Sequence, residues 1–311
     1  MSVYVYPTDH RWYDYLSGRR QLDEVNFWQP SGNQVFRRLQ PGDLFLFRLK
    51  SPINRIAGGG VFAHSSLFPI KAAWDAFGEK NGVPSYSTFF DFIQGYRGKN
   101  GERLRDDSPI GCIILQNPFF ADRSQWLRVP SDFSLNLVQG RRYDAGDETT
   151  SSLKAWALHA MRDSMVAEQP LIIPAVDGPI YGDPVLVKRR LGQGTFRVLV
   201  SDAYDRRCAL TGEKTLPVLE AAHIKPVSQG GEHRIDNGLL LRSDIHKLFD
   251  IGYVSFSPTG SAMVSPKLKE TWLNGRIYYD LHGKELRLPS AEQMRPSRAF
   301  LEWHNDERYI R

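Results

Sequence analysis

The chain has 311 residues, 41% of them hydrophobic and 24% charged, with a formal net charge of +5; that is enough for two domains with a core in each. No run approaches eighteen apolar residues, which excludes a helix that spans a membrane. The two cysteines, Cys112 and Cys208, stand too far apart in sequence for a disulfide framework or a four-cysteine zinc site. The start, MSVYVYPTDHRWYDYL, lacks the basic residues and apolar core of a signal peptide, so a cytoplasmic location is expected. A pI near 9.1 is a mild lean toward polyanionic partners.

Along the first half, short runs of β-forming residues alternate with Gly, Pro and Asn. LFLFRL (Leu44–Leu49) follows the turn-prone Gln40-Pro41-Gly42-Asp43, GGGVFAHSSLF holds another strand, and IGCIILQ (Ile110–Gln116) suits a buried strand. Ile70, Ala73, Trp74 and Phe77 have helical spacing that ends at Gly78. YSTFFDFIQGYR predicts a second helix with an aromatic face, and LKAWALHAMRDSM a third that closes a first domain, residues 1–168.

Residues 169–192 are rich in Pro and Gly, carry the basic cluster Lys188-Arg189-Arg190, and read as a linker. A second domain, 193–311, opens with a helix from Gln193, continues as two strands flanking a polar loop, and reaches a helix from about Asp244 to Asp250. The turns Asn274-Gly275 and His282-Gly283 predict two or three small strands before a final helix, SRAFLEWHNDERYI. The fold class expected is α+β.

The chemistry concentrates in EAAHIKPVSQGGEHRIDNGLLLRSDIHKLFDIGYVSF (Glu220–Phe256). Asn237 follows His223 by fourteen residues, His246 comes nine later, and Asp250 four after that. His246 and Asp250, at i and i+4, share one helix face and can hold one cation. An imidazole with a carboxylate suits a borderline or hard divalent metal. His223, brought alongside by the hairpin, can take a proton from water attacking phosphorus, and Asn237 can fix the loop and so aim it. Lys225, Arg234, Arg242 and Lys247 are nearby cations fit for a phosphate backbone. A lone His223 would more often be a packed or surface residue, and His233, in Gly-Gly-Glu-His-Arg, is read as a surface or DNA-facing residue. Asp244 is read as a helix N-cap rather than a ligand.

The order and spacing of these residues, with CALTG, AAHIKP, NGLLL and HKLFDIG around them, resemble the HNH endonuclease motif between about Arg190 and Tyr253. The resemblance implies a ββα-metal unit that hydrolyses phosphodiesters with one divalent ion, Mg²⁺ or Mn²⁺. It also implies His223 as general base, Asn237 as the orienting residue, His246 as metal ligand and Asp250 at a further ligand position. Two features depart from the pattern. Ala222 stands where many members carry a ligand, which leaves Glu220 or Asp244 to complete the site. Cys208 stands alone, with Thr211 where a second cysteine would fall, so no structural zinc is expected.

In the first domain, FxxLxPGDLFLFRL and INRIAGGGVF resemble the β-barrel core of PUA-like domains, the superfold that includes EVE, ASCH and SRA modules. That resemblance implies an N-terminal barrel with flanking helices that captures a modified base in an aromatic pocket. Trp28, set among polar residues, is the leading stacking candidate; Phe27, Trp74, Trp126 and Tyr143 are others. Asn26, Asn33, His64, Ser65 and Asp132 are candidates for the base edge.

Together these readings predict a modification-dependent restriction enzyme of phage defence that cuts double-stranded DNA near a modified cytosine. A duplex break needs two active sites, so a homodimer or a transient pair on DNA is expected. The alternatives are an HNH nuclease gated by another ligand or protein, and a non-catalytic DNA-binding protein silenced at Ala222.

Overall fold

The computed structural model describes residues 1–19, 22–98, 103–134, 137, 139–166 and 192–311. The chain divides into two compact units, Met1–Arg189 and Arg190–Arg311. The basic cluster Lys188-Arg189-Arg190 and almost all of the expected linker lie outside the described residues. Among the described residues, no helix is long and apolar enough to cross a membrane.

The first unit runs β1 (Val3–Thr8), α1 (His10–Ser17), β2 (Glu24–Gln29), β3 (Leu44–Leu49), β4 (Arg55–Pro69), α2 (Ile70–Phe77), α3 (Tyr86–Arg97), β5 (Pro109–Phe120), β6 (Leu127–Arg128), β7 (Arg141–Tyr143) and α4 (Glu148–Val166). The strands form one sheet in the order β2-β5-β4-β3-β1-β7, with β6 paired to β4. All its pairings are antiparallel except β1 with β3. Among the described residues, no pairing joins β2 to β7.

Strand alternation sends successive residues to opposite faces. Val3, Val5, Leu44 and Leu46 pack with Leu153, Ala157 and Ala160 of α4, while Tyr4, Phe45 and Phe47 pack with Trp12, Tyr13 and Leu16 of α1. Both faces are therefore covered, which is why Leu44–Phe47 is continuously apolar rather than alternating. Register shifts at Gly59/Val61 and Phe62/His64 let the fifteen-residue β4 bend while it pairs with β5. The glycines of β4 admit backbone at close range: a Cβ on Gly58 would lie 2.3 Å from the Phe119 carbonyl oxygen.

The second unit contains α5 (Gln193–Ala203), β8 (Leu219–His223), β9 (Gly238–Arg242), α6 (Ser243–Asp250), β10 (Val254–Phe256), β11 (Ala262–Val264), α7 (Lys267–Trp272), α8 (Arg276–Tyr279) and α9 (Arg298–Glu307). The β8–β9 hairpin is antiparallel, with Leu219 opposite Arg242 and His223 opposite Gly238. Its buried residues, Leu219, Ala222, Leu239, Leu240 and Leu241, share one core with Phe196 and Val200 of α5, Ile245 and Phe249 of α6, and Leu301 of α9.

The expected C-terminal strands fall elsewhere. Asn274-Gly275 joins two short helices rather than two strands, and the β10–β11 hairpin precedes it. Leu273 and Gly275 are both left-handed, with φ of 59° and 110°, so the left-handed backbone that suits a hairpin turn here ends α7 and starts α8.

Candidate active site

His223 is the last residue of β8, and α5 crosses beside it. The Phe196 ring stacks on the His223 imidazole with centroids 3.9 Å apart and planes 9° from parallel. Gly238, opposite His223, makes the approach of α5 possible. A Cβ there would lie 2.5 Å from Val200 Cγ2 and 3.0 Å from Phe196 Cε2. The Asn-Gly of the motif therefore has two separate uses, the amide for the loop and the glycine for the helix.

Asn237 is fully buried. Its Nδ2 donates to the carbonyls of Lys225 and Glu232, each at 2.9 Å, and its Oδ1 accepts from the Lys225 N–H at 2.9 Å. The side chain thus staples both ends of the polar loop behind His223, and it makes no direct hydrogen bond to that ring.

α6 presents His246 and Asp250 on one face, with Nε2 of the imidazole 3.4 Å from Asp250 Oδ2. On its other side, His246 Nδ1 meets Glu220 Oε2 at 2.6 Å. Glu220 is exposed, whereas Ala222 is fully buried in the core, so the two are not equivalent places for a ligand. Asp244 is turned to other partners, accepting from Arg242 at 2.6 and 2.8 Å and from the Tyr278 hydroxyl at 3.2 Å. Those bonds hold its carboxyl below the usual range. Among the described residues, no three or more His, Cys, Asp or Glu side chains form a group that holds a metal by themselves.

His223, His246, Glu220 and Asp250 line one cavity of about 810 Å³. His233, read from the sequence only as a surface or DNA-facing residue, lines it too, as do Phe196, Arg197, His304 and Arg308, which were not read as part of a site. His233 Nδ1 lies 2.9 Å from His223 Nε2. Burial pushes the His223 imidazole down to about 4, helped by the neighbouring His233 and His246. Burial also lifts the Asp250 carboxyl, against the lowering pull of His246 and Arg308.

His304 ties α9 to this site. Its ring stacks on Phe249 at 3.8 Å, Nε2 reaches the Phe249 carbonyl at 3.1 Å, and Nδ1 meets the Ser255 hydroxyl at 2.8 Å. Burial holds it at about 4 in the folded chain, against an ordinary 6.5. Between those values the unfolded chain binds more protons. Its contribution is complete above about pH 6.5 and is lost as pH falls through 4. Urea denaturation of the full chain at pH 7.5 and 5 should show a loss of about 2 kcal/mol from this residue, and the His304→Gln variant should flatten that slope.

The other basic residues read from the sequence are engaged differently. Arg234 forks onto Asp236 at 2.9 and 2.7 Å, and Arg242 onto Asp244. Lys225 Nζ lies 5.3 Å from the centroid of the Trp303 ring, and Lys247 is exposed. The aromatic candidates of the first unit are in packing positions. Trp28 donates its indole N–H to the Asn81 carbonyl at 2.9 Å and meets Phe89, Phe92 and Tyr96 edge-on. Phe27 is core, Trp74 leans on Phe89, Trp126 donates to the Ala121 carbonyl, and Tyr143 bonds Asp132. Ser65 donates to the Phe36 carbonyl, and the Asn26 amide donates to Asn81 Oδ1.

Cys208 is buried and free, and its sulfur accepts the N–H groups of Thr211 and Arg242 at 3.4 Å. The CALTG turn is thus closed by a thiol receiving backbone donors.

No curated protein matches the chain. Among solved structures it is similar to a modification dependent TagI restriction endonuclease, at 12% identity and a TM-score of 0.29, over 93% of this chain and 77% of that one. That likeness is too distant to carry weight. Residues 208–257 match the family described as HNH endonuclease, a segment that holds His223, Asn237, His246 and Asp250. This segment is an HNH endonuclease domain, and the chain that carries it is a phosphodiester hydrolase.

Proposed function

We propose that this protein is a DNA endonuclease of the one-metal HNH type, and that its first unit restricts cutting to DNA carrying a modified base. The nuclease part is supported by one observation above all. A single cavity gathers an imidazole of low basicity, His223, with a His–carboxylate pair on a helix, His246 and Asp250. The modified-base part of the reading rests on the PUA-like resemblance of β3 and the Gly-rich β4. Duplex cleavage by this scheme uses two chains paired on DNA.

The donors fit a divalent ion. His246 Nε2 and Asp250 would hold it, and water and phosphate oxygens would complete its shell. Glu220 accepts at His246 Nδ1, which places the imidazole proton there and leaves Nε2 as a donor of its lone pair. Glu220 thus orients the ligand instead of replacing the one absent at Ala222. A bound ion supplies neutralisation of charge on the phosphate oxygens and on the leaving 3′-oxygen. His223 accepts the proton of the attacking water, and its neutrality at physiological pH follows from its burial. Arg197 and Arg308 bring positive charge to the cavity wall, where a phosphate would sit.

Glu220→Gln should raise the Mn²⁺ concentration needed for half-maximal cleavage by about 10–100-fold, with activity recovered at saturating metal. An unchanged metal requirement would remove Glu220 from this role. The modified-base reading is tested with matched plasmids, with and without cytosine modification, incubated with Mg²⁺ or Mn²⁺. Cutting confined to the modified plasmid is expected. Equal cutting of both would assign the first unit to a different ligand.

A further inference from the structure

The polar loop between β8 and β9 brings a second imidazole to His223. Their rings lie 4.8 Å apart at 61°, with His233 Nδ1 at 2.9 Å from His223 Nε2. Phe196 covers one face of the His223 ring, so that ring is fixed on one face and at one nitrogen. Among the described residues, no other group hydrogen-bonds the His223 ring. Asn237 does not, because its amide is taken by the backbone of Lys225 and Glu232. By clamping Glu232, however, Asn237 fixes the residue next to His233.

The two tautomers of this pair are not equivalent for a base. With its proton on Nε2, His223 donates to His233 Nδ1 and keeps a lone pair on Nδ1. With its proton on Nδ1, His223 accepts from His233 through Nε2, and neither nitrogen is left to receive a proton from water.

We propose that His233 is a positioning residue of the nuclease, which holds the His223 proton on Nε2 and thereby makes His223 Nδ1 the base. This deepens the nuclease reading of the same cavity and rests on it. In the step, the attacking water gives its proton to His223 Nδ1 as its oxygen bonds to phosphorus. The bond from phosphorus to the 3′-oxygen breaks, and that oxygen takes a proton from solvent water. The imidazolium keeps its Nε2–H on His233 Nδ1 throughout, then returns the Nδ1 proton to solvent. The arrangement has the logic of an acceptor holding a catalytic imidazole in one tautomer, with a neutral ring in place of a carboxylate.

The test uses the full chain, His233→Ala and His233→Asn, whose side-chain oxygen can stand near the place of Nδ1. His233→Ala should lower kcat on plasmid DNA by about 10–100-fold with KM within about twofold, and His233→Asn should recover most of the loss. Nitrogen-15 spectra of the metal-free protein supply a readout that a merely structural role would not move. His223 should carry its proton on Nε2 in the wild type and in His233→Asn, and become a tautomer mixture in His233→Ala. A wild-type His223 protonated on Nδ1, or a His233→Ala protein with unchanged kcat, overturns the proposal. If the wild type cuts no DNA, the nuclease reading fails, while the spectra still decide what His233 does to His223.

Discussion

Replacing His223 with Ala is expected to lower DNA cleavage by about 10²–10⁴-fold, the range for loss of a positioned general base. DNA binding should persist, because the cations of the site belong to other residues, Arg197 and Arg308 on the cavity wall and Lys247 on the surface of α6. Beside its proposed role in the chemistry, the side chain is packed, since Phe196 lies flat against it. Truncation therefore uncovers one face of a buried phenyl ring, and some stability goes with it. Circular dichroism and a binding measurement separate the two effects: a folded variant that binds but does not cut is the expected result. A folded variant that cuts at the wild-type rate would remove His223 from the chemistry.

Asn237→Ala should have the largest combined effect on fold and activity. The amide is fully buried and makes three hydrogen bonds to backbone, with the Lys225 N–H, the Lys225 carbonyl and the Glu232 carbonyl, the last of which also accepts from the Arg234 N–H at 2.8 Å. Stranding one buried polar group costs about 1–3 kcal/mol, and water entering the loop recovers part of it. A net loss of about 2–4 kcal/mol is expected from urea denaturation. Asn237→Asp does not restore the wild type. It keeps the acceptor toward the Lys225 N–H but turns a carboxylate oxygen toward two carbonyls. In either variant, the loop that carries His233 loses its staple, so kcat should fall by about 10²-fold from misplacement of His223 even in the folded fraction. A variant with wild-type stability and slower cleavage would mean that Asn237 acts on the chemistry and not through the loop.

Much of this site was legible in the sequence because its residues lie within one hairpin and one helix. The i,i+4 spacing of His246 and Asp250 predicts a shared face, and the cavity receives both. The hairpin itself follows from apolar runs flanking a Gly-rich loop. Other parts carry no local signal. His233 sits in Gly-Gly-Glu-His-Arg, a composition that reads as solvated, and only the fold of the loop onto Asn237 turns it toward His223. Phe196, His304 and Arg308 lie outside the matched segment, and their roles come from α5 and α9 packing on the hairpin and α6. Glu220 was visible as a carboxylate of the right strand, but its use as a partner for His246 Nδ1 depends on a side-chain direction that alternation alone does not give.

One misread turn and one unexpected packing position have physical causes. Asn-Gly signals a left-handed backbone, which serves a helix end as well as a hairpin, and Asn274-Gly275 is the former. Trp28 has polar neighbours in sequence, yet its ring packs edge-on against three aromatic residues of α3. Contacts made by a helix sixty residues away override the character of the adjacent sequence.

The central claim is that the His223 cavity hydrolyses phosphodiesters in DNA. It is tested most directly by incubating the full-length protein and its His223→Ala variant with Mg²⁺ or Mn²⁺ and two plasmids, one carrying modified cytosine and one without, and following nicked and linear forms by gel. Metal-dependent cleavage of at least the modified plasmid is expected from the wild type, and almost none from the variant. Intact plasmids with both metals, or equal cleavage by the two proteins, would contradict it.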